Sequence, residues 1–312
     1  MFRVRQQIGC TDEVMDSCIG RNFSKEDAIR VAVLDTGIGN HPDLSGRVDA
    51  FFDFLHGEKN PYDDSGHGTH VAGCIGGSGK ASGGMYKGIC PWCRMIVGKV
   101  LDHNGDGNMD DMYRGVEWVL ENRERYHIRV LNISIGIGHV ENEERMQELL
   151  EIVDTAWNSG IVVVCAAGNM GPEPMTLSPL GSSKKVITVG CHDGSFYSGK
   201  SSLCESYSGR GPSPYAVKKP DVVAPGTDII SCNAACRVAF RKYRNAYIKK
   251  SGTSMATPIV SGAAALLLQK YPELSNEQVK RKINYSATDM HEPWTKQGWG
   301  MINVGKLIKI AY

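Results

Sequence analysis

Three short stretches of this 312-residue chain combine an acid, an imidazole and a hydroxyl with small residues that leave such groups accessible. The stretch "RVAVLDTGI" ends a β-branched run on Asp35, "DSGHGTHVAG" contains His67 and His70, and "SGTSMATP" contains Ser254. In nucleophilic catalysis a base activates the hydroxyl and an acid orients the base. Together the three stretches therefore predict a hydrolytic site built on a serine nucleophile.

Ser254 stands at the start of an Ala-rich apolar stretch that runs to Leu268. This pattern predicts a buried helix, and Pro258 is tolerated because its missing N–H falls near the unpaired first turn. The free N–H groups and the partial positive charge of a helix start suit an oxyanion that forms beside the serine. Each residue alone also has a structural interpretation, since a serine before a helix is commonly only a cap and a histidine pair commonly packs in a core.

The stretches around these residues alternate between strand and helix patterns. Apolar β-branched runs predict buried parallel strands at 30–34, 95–100, 130–134, 161–167 and 186–190. Apolar residues at helical spacing predict helices at 110–126 and 144–160, and Ser275 with Gln278 forms the capping box of another. The predicted fold class is α/β, with a mostly parallel central sheet and helices on both faces. In such a fold, reactive groups lie at the carboxyl ends of the strands.

Four blocks of the sequence resemble, in their order, the subtilisin-like serine proteases, or subtilases: "VAVLDTGI", "HGTHVAG", "AAGN" and "GTSMATP". The resemblance extends from about residue 29 to about residue 308. It implies the three-layer subtilisin-like fold and a serine endopeptidase that hydrolyses peptide bonds through an acyl-enzyme. By motif, Asp35 would orient the imidazole, His67 would be the general base and Ser254 the nucleophile. Asn169 would donate a hydrogen bond to the oxyanion.

The resemblance also implies a cleft with two backbone edges that pair with an extended peptide, and a first specificity pocket. The edge residues would be Gly105, Asp106, Gly107, Ser134, Ile135 and Gly136, and the pocket residues Met170 and Leu177. Both pocket residues are apolar, so we expect an uncharged, apolar residue before the cleaved bond.

No cofactor is expected for the chemistry, but two calcium hypotheses arise. Asp43 sits where the family commonly has a calcium ligand, although the neighbouring "GGSGKASGGMYKG" differs from the family's calcium loop in length and content. The stretch "DHNGDG" begins like an EF-hand loop, but its twelfth position is Tyr113, where a bidentate Glu is needed. Calcium therefore stays open at Asp43 and is disfavoured at the second stretch.

The ten cysteines allow a competing function. Cys90 and Cys93 form a C-x-x-C motif and Cys232 and Cys236 a second close pair, so a four-thiolate zinc site or a redox protein is an alternative. The start of the chain, "MFRVRQQIGC", lacks the apolar core of a signal peptide. This predicts a cytoplasmic protein with reduced thiols, similar to the cytoplasmic branch of the family.

The net charge of +1 gives no reason to expect nucleic acid or a membrane surface as a partner, and protein or peptide substrates are expected. Residues 1–26 are predicted to be an N-terminal extension and residues 27–312 one peptidase domain. The extension is too short for an independent folded pro-domain, and a role as an inhibitor across the cleft is one hypothesis. A further alternative is a catalytically silent subtilase fold that binds peptides, against which the intact set of motif residues argues.

Overall fold

A computed structural model describes residues 1–136, 142–194, 203–239 and 242–309, and its centre is a seven-stranded parallel sheet. The strand order is β2-β3-β1-β4-β5-β6-β7. The strands are β1 Arg30–Asp35, β2 Val48–Asp53, β3 Arg94–Lys99, β4 Ile128–Ile133, β5 Val162–Ala166, β6 Ile187–Cys191 and β7 Val222–Ala224. Two antiparallel pairs follow, formed by β8 Ile229–Cys232 with β11 Tyr247–Lys250 and by β9 Arg237–Ala239 with β10 Lys242–Arg244.

Helices cover the sheet. They are α1 Phe2–Gln7, α2 Asp12–Asp16, α3 His67–Gly76, α4 Met109–Glu121, α5 Arg123–Tyr126, α6 Glu143–Asn158, α7 Pro179–Ser182, α8 Leu203–Tyr207, α9 Thr253–Lys270, α10 Asn276–Ser286, α11 Trp294–Gln297 and α12 Val304–Leu307. None of the helices described is long and apolar enough to cross a membrane.

The predicted α/β class is confirmed, and its five predicted strands correspond to β1, β3, β4, β5 and β6. Each of these strands is buried almost throughout, which explains why the sequence reads there as continuous apolar runs instead of alternation. The helix predicted at 110–126 is divided at Asn122 into α4 and α5. The predicted capping box at Ser275 and Gln278 is present at the start of α10.

Helices α3 and α9 lie against each other and against the sheet, and they begin with the residues of chemical interest. Helix α9 is buried from Thr253 to Leu268 except at Ser254. The first turn of α3 packs directly on the end of β1, because a Cβ at Gly68 would lie only 2.2 Å from the carbonyl oxygen of Gly37. Only glycine allows this approach, which brings His67 to the carboxyl end of β1.

The N-terminal segment packs onto the body of the molecule. The side chains of Met1, Val4 and Ile8 are buried in the main core, and the Val304 N–H donates to the carbonyl of Ile8 at 2.7 Å. Further hydrogen bonds join the segment to backbone carbonyls of residues 193, 227 and 230, none of which belongs to the predicted triad. The domain boundary at residue 27 stays a prediction, and the segment shares the core of the rest of the chain.

Candidate active site

Asp35 and His67 form the centre of the site. Asp35 ends β1 with no solvent exposure, and its Oδ1 lies 2.7 Å from Nδ1 of His67. The same oxygen accepts the Thr36 N–H at 2.8 Å. A carboxylate at Nδ1 favours the tautomer with a proton on that atom, which leaves the lone pair on Nε2. The His67 side chain is 24% exposed, so this lone pair is available to a reacting group.

The electrostatic surroundings make His67 a stronger base. Burial of the ring opposes its charged form, but the negative charge of Asp35 and the hydrogen bond to it outweigh burial and raise the pKa of His67. The next histidine has the opposite environment. His70 Nε2 donates to Ile229 O at 2.9 Å, and burial lowers the pKa of His70 to about 3. His70 therefore packs in the core as a neutral ring.

Asp63, which the sequence analysis missed, ties these two elements together. Its Oδ1 accepts the Thr36 hydroxyl at 2.8 Å, and that hydroxyl in turn accepts the Gly68 N–H at 2.9 Å. Its Oδ2 accepts both the N–H and the hydroxyl of Thr69. The carboxylate thus joins the residue after Asp35 to the first turn of α3. The sequence contains a signal for this role, because Asp63 precedes a Ser-Gly turn. An Asp at such a position commonly accepts hydrogen bonds from the backbone N–H groups of the residues that follow it.

Lys99 supports the same turn from inside the fold. Its side chain has no solvent exposure, and its ammonium donates to Thr36 O at 2.8 Å, Leu101 O at 2.9 Å and Asp64 Oδ1 at 2.7 Å. A buried ammonium is tolerated only when its donors are satisfied in this way. Lys99 therefore fixes the backbone directly after Asp35.

Ser254 and Asn169 face a common space. Ser254 lies in the first turn of α9, where a backbone N–H has no partner within the helix. The Asn169 Oδ1 accepts the N–H and the hydroxyl of Thr253, at 3.1 and 3.0 Å, and this fixes the side-chain amide. A Cβ placed on Gly252 would lie 3.7 Å from the Ser254 N and 3.8 Å from the Asn169 Nδ2. The Ser254 N–H and the Asn169 amide therefore lie on either side of one point beside Gly252, where two donors could stabilise an oxyanion.

The first predicted cleft edge, Ser134–Gly136, follows β4. Burial decreases along it, from buried Ser134 through half-buried Ile135 to exposed Gly136. A Cβ at Gly136 would lie 3.6 Å from the Cα of Gly168, so this edge runs beside the residue that precedes Asn169. The part of this edge in substrate binding stays a prediction.

A buried polar chain anchors that edge to the serine helix. The Ser261 hydroxyl donates to Asn132 Oδ1 at 2.7 Å, and Asn132 Nδ2 donates to the Ser134 hydroxyl at 2.8 Å. Ser261 lies two turns beyond Ser254, on the same face of α9. The polar "N" within the apolar strand "VLNIS" was the signal for this chain of hydrogen bonds, and the sequence analysis did not use it.

The second predicted edge, Gly105–Gly107, forms a turn organised by Asp102. The Asp102 Oδ1 accepts the N–H groups of Asn104 and Asp106 at 2.8 and 3.0 Å. The turn leaves Asp106 and Gly107 exposed. These two hydrogen bonds hold the backbone of the turn around the Asp102 side chain.

The predicted pocket residues lie after Asn169. Met170 is 70% exposed, and Leu177 is half-buried. The segment between them bonds to a neighbouring loop, through Gly171 N–H to Tyr207 O at 2.8 Å and Thr176 N–H to Arg210 O at 3.0 Å. Both side chains belong to one segment beside the oxyanion space, and their part in substrate recognition stays a prediction.

Comparison with known proteins agrees with this geometry. Residues 26–300 match the model of the family described as the Subtilase family (Peptidase_S8). The chain belongs to the subtilase family. Serine protease AprX of Bacillus subtilis (strain 168) is 41% identical over 265 residues, which are 82% of this subtilase and 60% of AprX. Subtilisin E of the same organism is 37% identical over 281 residues, which are 88% of this subtilase and 64% of the relative. The chain thus spans about three fifths of the length of these curated relatives.

Solved structures give the same relationship. The structure titled "S41 Psychrophilic Protease" superimposes with a TM-score of 0.75 at 27% identity and covers 93% of this subtilase and 97% of its own chain. A cold adapted subtilisin-like serine proteinase gives a TM-score of 0.66 at 30% identity, with 91% of each chain covered. The predicted subtilisin-like fold is confirmed.

Asp43, where a calcium ligand was considered, is surrounded by hydrogen-bond donors in this subtilase. Its Oδ1 accepts the Ala81 N–H at 2.8 Å, and its Oδ2 accepts the Tyr247 hydroxyl at 2.8 Å and the Cys232 thiol at 3.9 Å. Burial and the Asp43 carboxylate raise the pKa of Tyr247, so its hydroxyl keeps the proton. Calcium needs several oxygens that present lone pairs, and these residues do not fit it.

The cysteines of this subtilase differ from the prediction in one place. Cys191 and Cys204 are disulfide-bonded, with Cα atoms 5.4 Å apart, so the expectation of reduced thiols throughout is wrong for this pair. The partner, Cys204, lies in α8, 13 residues further along the chain. The other cysteines are unpaired: Cys10, Cys18, Cys74, Cys90, Cys93, Cys165, Cys232 and Cys236.

The four-thiolate zinc hypothesis is not supported among the residues described. Cys90, Cys93, Cys232 and Cys236 do not gather as a ligand group, and the Cys232 thiol instead belongs to the Asp43 cluster. Burial raises the pKa of the Cys90 and Cys232 thiols well above the usual value. Zinc binds the thiolate, which this burial disfavours, so these residues act as small core side chains.

Proposed function

We propose that this subtilase is a serine endopeptidase that hydrolyses peptide bonds in proteins or peptides. The observation that carries the proposal is the 2.7 Å contact between Asp35 Oδ1 and His67 Nδ1, which prepares the imidazole as a base. The space shared by the Ser254 N–H and the Asn169 amide supports it, because hydrolysis of an amide requires donors for an oxyanion.

In the proposed mechanism, the Ser254 hydroxyl attacks the peptide carbonyl while His67 Nε2 accepts its proton. The negative charge that develops on the carbonyl oxygen is stabilised by the Ser254 N–H and by Asn169 Nδ2. Collapse of this intermediate breaks the C–N bond, and His67 returns the proton to the leaving amine. Water then repeats the sequence on the acyl-enzyme and releases the acid. Asp35 remains ionised and stabilises the imidazolium.

The substrate is proposed to bind as an extended strand between Gly105–Gly107 and Ser134–Gly136, with an apolar residue before the cleaved bond. The exposed apolar side chain of Met170 and half-buried Leu177 support this preference. The test is kcat/KM over peptides that differ only at that residue. A preference for Lys, Arg or Glu would refute it.

No cofactor is required for this chemistry. We propose that Asp43 serves as a structural hydrogen-bond acceptor instead of a calcium ligand, because N–H, O–H and S–H donors point at its oxygens. A cytoplasmic location is also proposed, on the grounds that eight cysteines are unpaired. Thiol trapping in intact cells tests the location, since a cytoplasmic protein would yield the eight unpaired cysteines reduced, whereas their oxidation would contradict the proposal.

Intact-protein mass after treatment with a fluorophosphonate tests the catalytic proposal, with Ser254→Ala as the control. A single adduct on the parent protein, absent from the control, supports an assembled triad and an open cleft. A folded parent protein that forms no adduct and cleaves no peptide would overturn the proposal. The silent peptide-binding fold would then be preferred.

A further inference from the structure

A projecting ribbon next to the catalytic helix has no role in the mechanism above. We call it the basic arm, and it consists of residues 237–239 and 242–250. In it, β9 pairs with β10, and β11 returns along β8 and ends at Lys250, shortly before the start of α9. Val238 is 69% exposed, and the residues of β10 are exposed throughout. Because so little of the ribbon is buried, it contributes little to the core. A role of the ribbon would therefore come from its exposed surface.

The arm has one sign of charge. It contains five basic residues and no acidic residue, although the whole chain has a net charge of only +1. The basic residues are Arg237, Lys242, Arg244, Lys249 and Lys250. Within the described part of the chain, only Lys249 has an acidic neighbour at ion-pair distance, Asp228 at 3.8 Å. For the other four cations, no acidic partner at ion-pair distance is found among the residues that the structure describes.

Two of these charges oppose each other directly. Arg237 and Arg244 are register partners across the β9–β10 pair, and their side chains lie on the same face of the ribbon. Like charges in directly opposed positions destabilise a ribbon, and Lys242 adds a third cation to that face. An anionic group bound on this face would relieve the repulsion, which is the arrangement expected of an anion-binding surface.

The segment that leads into the arm and the last residue of the arm both lie near the first turn of α3, which carries His67. At its base, the Cβ of Ala234 lies 3.5 Å from a Cβ built on Gly66, the residue before His67. At its other end, Lys250 is the register partner of Ile229, whose carbonyl contacts the His70 ring at 2.9 Å. Lys250 also lies close enough to His67 to lower the pKa of that ring slightly, against the larger effects of burial and Asp35.

The proposed mechanism determines which part of the substrate lies on the His67 side of the cleft. His67 delivers its proton to the leaving amine, so the peptide that follows the cleaved bond must extend past the imidazole. The part before the bond pairs with Ser134–Gly136, which adjoins Asn169 instead. The arm therefore borders the leaving-group side of the cleft.

We propose that the basic arm binds acidic side chains of the substrate segment that follows the cleaved bond, and so selects protein or peptide substrates that are acidic on that side. The inference rests on the proposed endopeptidase function. The partner is an Asp- or Glu-containing peptide segment, recognised by Arg237, Lys242 and Arg244 on the ribbon and by Lys250 near the scissile bond.

The experiment uses two peptides with the same residues before the cleaved bond and either Asp and Glu or Asn and Gln after it. We expect kcat/KM to be about tenfold higher for the acidic peptide at low ionic strength, from a few-fold for each exposed charge pair, and the ratio to fall with added salt. The triple variant Arg237→Gln, Lys242→Gln, Arg244→Gln should bring the ratio close to one.

The matched control is the triple variant Arg21→Gln, Lys25→Gln, Lys59→Gln, which removes the same charge at exposed positions outside the arm and should keep the wild-type ratio. Thermal unfolding of both triple variants verifies that they are folded. Equal rates for the two peptides, or a ratio that survives the arm substitutions, would overturn the proposal. If neither peptide is cleaved and the fluorophosphonate forms no adduct, the endopeptidase function itself fails, and the two failures are thereby distinguished.

Discussion

The Asp35 carboxylate is fully buried, yet it lies 2.7 Å from an imidazole, that of His67, which is open to solvent on its other side. One oxygen of the acid is shared between that ring and the Thr36 N–H. The proposed catalytic function depends on this contact between the carboxylate and the imidazole.

Asp35→Asn should lower kcat by about 10⁴, because an amide in place of the carboxylate favours the wrong tautomer of His67 and no longer stabilises the imidazolium. KM should change little, since Asp35 does not touch the substrate. Single-turnover kinetics with a peptide substrate measure the effect. A loss of less than about tenfold would mean that the contact does not serve catalysis.

The pH dependence follows from the same contact. His67 acts as a base only when it is deprotonated, and Asp35 raises its pKa above the ordinary 6.5. The acid limb of kcat/KM should therefore have its midpoint above pH 6.5 in the wild type and move to lower pH in Asp35→Asn. A pH–rate profile of both proteins checks this, and an unshifted or raised midpoint in the variant contradicts it.

Gly252→Ala should reduce kcat by about 10²–10³, comparable to the loss of one oxyanion donor. The added methyl group would occupy the space between the Ser254 N–H and the Asn169 amide. Turnover of a peptide substrate by the variant measures the effect, with thermal unfolding to verify that the variant is folded. A folded variant that loses less than about tenfold in kcat would contradict the prediction.

A buried ion cluster beneath β6 and β7 should matter for stability. The Asp221 carboxylate contacts the Lys219 ammonium at 2.6 Å and the Lys280 ammonium at 3.3 Å. The side chains of Asp221 and Lys219 are almost fully buried. Asp221→Asn should lower the free energy of unfolding by about 3–5 kcal/mol, because it leaves buried ammonium charge uncompensated. Denaturant titration in a Ser254→Ala background measures this without self-digestion.

The control for that change is Asp228→Asn, which removes an exposed ion pair with Lys249. Its cost should be below about 1 kcal/mol. Similar costs for the two substitutions would show that burial of the Asp221 cluster has no energetic consequence.

Tyr247→Phe should lower the free energy of unfolding by about 1 kcal/mol, because Asp43 loses the hydroxyl that donates to its Oδ2. Millimolar calcium should not restore the loss. Unfolding of the variant with calcium and with a chelator provides the measurement. A recovery of stability specific to calcium in the variant would identify Asp43 as a cation ligand after all.

The sequence was sufficient to predict which strands and helices carry the four motif residues. Asp35, His67, Asn169 and Ser254 lie within short motifs, and each follows a strand or begins a helix whose pattern is local. The carboxyl ends of parallel strands meet at one edge of the sheet, so their convergence could be predicted from topology alone. The strongly apolar strands made that topology recognisable.

The supporting residues could not be predicted in the same way, because their roles depend on contacts between distant segments. In the sequence, Lys99 is a charged residue at the end of a strand and nothing distinguishes it. Its supporting role follows only from its three hydrogen-bond acceptors in the folded structure. The Asp43 position suggested calcium from resemblance, but the donors that satisfy it come from residues 81, 232 and 247. The short strands of the basic arm alternate too briefly to give a pattern, and they were not predicted.

The helix that presents Ser254 is also the deepest element of the core, buried over nearly all of its first sixteen residues. A helix in this position cannot detach while the rest of the molecule stays intact, and its amide hydrogens should exchange only when the whole domain opens. Loss of native structure and loss of the nucleophile are consequently a single event. The fraction of molecules that an active-site probe labels at Ser254 should therefore equal the fraction that is natively folded.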